Sequence, residues 1–73
     1  MLVQVEPIGI VRGYVRAKLL EVSDNCTVEK LIEGLSLPSK FNVIAIVDGR
    51  RMSSKELLKH GAVVKVVSLA LGG

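Results

Sequence analysis

The chain has 73 residues, 49% of them apolar and 23% charged, with a formal net charge of +3 and a pI near 9.4. That is the composition of one globular domain rather than of disorder, and so short a chain buries only about 60% of its unfolded surface, which argues against a deep substrate pocket. The lone Cys26 excludes an internal disulfide, and no apolar stretch approaches the ~20 residues that a membrane-spanning helix needs.

Met1 to Gln4 lacks a basic region leading into an apolar segment, so a soluble, unprocessed, cytoplasmic protein is expected. The cations, from Arg12 to Lys65, form no dense cluster, and the only aromatic residues are Tyr14 and Phe41. Nucleic acid binding is therefore not indicated.

Met1 to Val5 alternates loosely and gives way to a turn at Pro7 and Gly9. Val11 to Val22 then carries Val15, Ala17 and Leu19 on one parity and Arg16 and Lys18 on the other, which predicts a second strand paired as a hairpin with the first. Ser23 to Thr27 is rich in capping residues and precedes Val28, Leu31, Ile32 and Leu35, spaced i, i+3, i+4 and i+7. This is one apolar stripe on a short helix, ended by Gly34 and Leu37-Pro38.

Phe41 to Val47 reads as a third strand closing at Asp48-Gly49, a dipeptide suited to a type I′ turn, with room for only a stub of strand after it. Ser53 and Glu56 match a capping box, predicting a brief helical turn over Ser54 to Lys59 before a left-handed cap at Gly61. Ala62 to Leu69, apolar on both parities, belongs in the middle of a sheet.

The expected fold is α+β, with a mixed sheet of four to five strands, one main helix on one face and a short helical turn before the last strand. It forms a single domain over residues 1–73, with a flexible tail from about residue 68. One helix covers one sheet face, so apolar residues on the other face of the third and fifth strands should form a docking patch. Its expected members are Ile44, Ile46, Val67, Leu69 and Leu71.

The chain closes on Leu71-Gly72-Gly73. Two residues without a Cβ are slim enough to thread a narrow channel and present a carboxylate inside another protein. The bland alternative, a frayed small-residue end, is common at termini, so the tail gains meaning from its context.

That context is a resemblance. The order of elements, Val47-Asp48-Gly49-Arg50, Leu58-Lys59-His60-Gly61 and the Leu71-Gly72-Gly73 end together resemble the ubiquitin-like β-grasp sulfur carriers, of the thiamine-biosynthesis and molybdopterin synthase small subunit types. The resemblance implies a non-enzymatic carrier that binds no cofactor of its own. Its terminal glycine, here Gly73 preceded by Gly72, would be adenylated by an ATP-using activating enzyme and converted with a sulfur donor to a thiocarboxylate. The implied partners are an E1-like adenylating enzyme and a sulfur-acceptor synthase, either thiazole synthase or the molybdopterin synthase large subunit, with delivery to thiamine, molybdopterin or tRNA. Neither a membrane nor nucleic acid is expected as a partner. The family often has acidic residues around the glycine before the last strand and a smaller residue before the diglycine, where this chain has His60, Ala62 and Leu71.

The residues agree with that chemistry. An α-carboxyl with a pKa of about 3.3 to 3.7 is ionised near neutrality and attacks a nucleotide phosphate, but needs activation before sulfur can attack it. Other chemistry is thin: Cys26 has no basic neighbour in sequence, and His60 has no partner at ligand spacing. The seven carboxylates form no paired motif, so no metal or catalytic group is expected. Two alternatives stand beside the carrier: a ubiquitin-like modifier conjugated through the terminal glycine, and a small basic RNA- or protein-binding domain.

Overall fold

Period-two apolar spacing, read against a single helical stripe, builds one sheet with one covered face. The computed structural model describes residues 1–69. In chain order these form strand β1 (Leu2–Pro7), a 3-10 helix (Gly9–Gly13), β2 (Lys18–Glu21), helix α1 (Val28–Gly34), β3 (Val43–Val47), β4 (Arg50–Met52) and β5 (Val63–Ser68). The sheet order is β2-β1-β5-β3-β4. β1 and β5 are parallel and the other neighbours antiparallel, so the sheet is mixed as expected.

β5 is the central strand, as its apolar content on both parities requires. Its inward residues Val64 and Val66 are wholly buried, together with Val3 and Val5 of β1 and Ala45 of β3. Val28 and Leu31 of α1 close this core from one side. Each fully buried Val or Leu contributes about 1.5–3 kcal/mol relative to exposure, enough in sum to hold a domain of this size.

α1 starts where Thr27 caps it, its hydroxyl accepting from the Lys30 N–H at 3.2 Å. The last residue of the helix is Gly34, as expected. Leu35 is the C-cap and Ser36 takes the left-handed conformation with φ 56°, its N–H donating to the Glu33 carbonyl at 3.2 Å. At the β3–β4 turn Asp48 and Gly49 have φ 53° and 77°, the two positive values that a type I′ turn requires, and Gly61 has φ 85°.

Two expectations are corrected. Val11 to Val22 is not one strand, because Gly9–Gly13 coils into a 3-10 helix and pairing starts only at Lys18. Val11 and Val15 are both buried at a spacing of four, which is helical spacing, while Leu19 points outward and is 67% exposed. The inward residue of β2 is Leu20, packed against the core.

The helical turn over Ser54 to Lys59 is also absent. The backbone there is taken up by pairing with the start of α1: Thr27 bridges Leu57, the Val28 N–H donates to the Glu56 carbonyl at 3.0 Å, and the Leu58 N–H to the Cys26 carbonyl at 2.9 Å. The capping contact survives without a helix, since the Ser53 N–H donates to Glu56 Oε2 at 2.7 Å.

Candidate functional site

The outer face of the sheet has no helix packed on it among the described residues. Antiparallel pairing puts Ile44 of β3 opposite Val67 of β5 and Ile46 opposite Lys65, so two apolar side chains adjoin across the ladder with a cation beside them. Ile44, Ile46 and Val67 are half-buried by one another, and Leu69, one residue past β5, is 49% exposed. Four of the five residues expected to form a docking patch thus share one region. Leu71, and with it Gly72 and Gly73, lies outside the described residues. Leu2, Leu19 and Val63 widen the exposed apolar area toward β2.

β5 continues through Ser68, and the Leu69 N–H donates to the Asn42 carbonyl at 2.8 Å.

Three features lie beside the point where the chain leaves the sheet, and sequence reasoning left them unconnected. Tyr14 packs edge-on to Phe41 with centroids 5.1 Å apart at 86°. Lys40 Nζ stands 5.8 Å from the Phe41 centroid, and Arg12 and Arg16 line one groove with Glu6 and Ile8. The signal was available as a lack of acids: none occurs in residues 7–20 or 34–47.

Elsewhere the side chains have structural duties. Cys26 is buried, with its Sγ donating to the Thr27 carbonyl at 3.4 Å, so the thiol is shielded. His60 Nδ1 accepts from the Leu2 N–H at 3.0 Å, and the Gly61 N–H donates to the Leu2 carbonyl at 2.7 Å, so the segment before β5 fastens the start of β1.

Arg50 donates twice to Glu56, at 3.0 and 3.3 Å. That pairing, with the Ser53 N–H, holds the Glu56 carboxyl below its ordinary pKa, while Glu56 raises that of Arg50. Both are exposed enough that the pair steadies a loop more than it activates a group. A groove of about 600 Å³ passes this pair and His60, and another of about 500 Å³ lies between α1 and the β3–β4 hairpin. Among the described residues no three His, Cys, Asp or Glu side chains converge as metal ligands.

No protein-family model and no curated protein matches the chain. Solved structures do. SAMP1 from Haloferax volcanii superposes with a TM-score of 0.79 over 100% of both chains at 13% identity. A putative molybdopterin converting factor, subunit 1, from Pyrococcus furiosus has a TM-score of 0.77 at 25% identity, covering 94% of this chain and 98% of that one. The H. volcanii small archaeal modifier protein 1 has a TM-score of 0.72 at 13% identity, with the same coverage. The two likenesses at 13% bear on the fold alone. The chain has a ubiquitin-like β-grasp fold, which it shares with these neighbours.

Proposed function

We propose that the chain is a sulfur carrier whose reactive group is the carboxylate of Gly73, and that the folded body is what partner enzymes grip. One observation carries this reading: the central strand of a β-grasp sheet runs directly into a sequence ending in Gly72-Gly73, beside an uncovered apolar face. The neighbour named as a molybdopterin converting factor subunit supports it.

In the proposed sequence, an oxygen of the Gly73 carboxylate attacks the α-phosphate of ATP held by an activating enzyme, and pyrophosphate leaves. The resulting mixed anhydride is attacked at its carbonyl carbon by a sulfur nucleophile, and AMP departs. Persulfide attack leaves an acyl disulfide that a thiol must then reduce, whereas sulfide gives the thiocarboxylate directly. The chain supplies no catalytic group. Its contribution is to hold the acyl group in place, and well-held geometry lowers such barriers by several kcal/mol.

Ile44, Ile46, Val67, Leu69 and Leu71 are the residues proposed to meet the partners. The acceptor is a synthase that consumes the thiocarboxylate sulfur. A modifier that forms an isopeptide bond with lysine uses the same activation step and is the second reading.

Deleting Gly72 and Gly73 tests the proposal. ATP–pyrophosphate exchange by the host's activating enzyme should vanish, while thermal unfolding of the truncated protein stays unchanged. Exchange that survives the deletion would refute it, as would partner binding that ignores the deletion but weakens steeply with salt.

A further inference from the structure

Cations scattered through the sequence meet where β5 leaves the sheet. β1 runs parallel to β5, its last residue Pro7 lies opposite Val66, and the Ile8 N–H donates to the Val66 carbonyl at 2.9 Å. The 3-10 helix that follows therefore sits beside the exit of the chain, and the Leu69–Asn42 hydrogen bond brings the 38–42 loop to its other side.

Arg12 and Arg16 share a groove of about 410 Å³, and Tyr14, between them in sequence, packs on Phe41, over whose ring Lys40 stands. The groove's carboxylate is Glu6, which accepts a hydrogen bond from the Gln4 side chain at 3.4 Å. Among the described residues the ion pairs are those of the N-terminus with Asp24 and of Arg50 with Glu56, so Arg12, Arg16 and Lys40 make no salt bridge there. Between them stand exposed Ile8, Ile10 and Tyr14, at 38%, 47% and 54%.

On the carrier reading, the partner that takes the tail approaches the end of the molecule where β5 leaves the sheet. We propose that Arg12, Arg16 and Lys40, set around Ile8, Ile10 and Tyr14, form a collar that docks on an acidic rim of the protein receiving the tail. The inference rests on the carrier reading and adds the chemistry of the partner's surface. A protein fits better than RNA, because the exposed apolar groups here are mainly aliphatic and a single exposed aromatic offers little stacking. Charges at such a rim act mainly on the rate of encounter and its salt dependence.

The test is ATP–pyrophosphate exchange by the host's activating enzyme with the R12Q/R16Q/K40Q protein. All three side chains are exposed, and an unchanged melting temperature checks that the variant folds. KM should rise roughly tenfold with kcat unchanged. The wild-type KM should climb with added NaCl while the variant's stays nearly flat. K30Q/K55Q/K59Q, which removes three cations from the other end of the molecule, should leave KM within twofold.

A triple variant with wild-type KM overturns the collar and leaves the carrier reading standing. Exchange that is absent even with the wild-type chain overturns both. If instead a fluorescent oligouridylate binds the wild-type protein and not the collar variant, with no change in KM, the surface belongs to RNA and the assignment to a protein falls.

Discussion

Ser68, the last residue of β5, carries a buried hydroxyl for which no hydrogen-bond partner exists among the described residues. Its side chain shares the inward parity of Val64 and Val66 and lies across from Val43, so the Oγ meets an apolar surface on the core side. A buried polar group left unpaired costs about 1–3 kcal/mol, whereas removing the single oxygen forfeits only a few dispersion contacts of ~0.1–0.2 kcal/mol each. Ser68→Ala should therefore stabilise the fold by about 1 kcal/mol, which for a domain of this size raises the melting temperature by roughly 4–8 °C. Ser68→Thr keeps the hydroxyl and should gain much less. Thermal unfolding by circular dichroism, supported by the denaturant midpoint at unchanged slope, measures both variants. A Ser68→Ala protein no more stable than wild type would show that the oxygen is satisfied and that the reasoning is wrong.

Two further outcomes follow from the helix end and the loop pair. At the end of α1, a methyl group on Gly34 meets nothing within 4 Å, so Gly34→Ala should add about 0.5–1 kcal/mol, as should Ser36→Gly, which relieves a left-handed non-glycine; the same unfolding curves check each. Glu56 is held below the ordinary carboxylate range first by Arg50 and then by the Ser53 N–H, so its stabilisation is complete above that range and is lost as pH falls through the lower native value. Glu56→Gln should flatten the fall in stability below about pH 5, and 1 M NaCl should weaken the Arg50 part of the effect.

The elements set by local chemistry were legible in the sequence. Asp48-Gly49 forms its turn, Thr27 caps the helix whose stripe begins at Val28, and the two-sided apolar run of β5 belongs at the sheet centre because both its faces adjoin apolar neighbours. The errors came where tertiary pairing overrode a local pattern. Val15, Ala17 and Leu19 alternate like a strand, yet Val11 and Val15 turn inward together, one within the 3-10 helix and one just past it. Likewise Ser53 and Glu56 make their capping contact while the next residues are drawn into pairing with Thr27. That Ile44 and Val67 lie on one exposed face followed from recognising two strands apolar on both parities, whereas their pairing is set by the register of β3 with β5. The collar did not, since Arg12, Arg16 and Lys40 become neighbours only through the parallel register of β1 with β5.

The account stands most directly on the chemical state of the C-terminal carboxyl. Intact-mass analysis of the chain after incubation with the host's activating enzyme, ATP and sulfide should show one oxygen replaced by sulfur, localised by fragmentation to Gly73. Recovery of an unmodified terminus under conditions where the enzyme consumes ATP on its established substrate would contradict it.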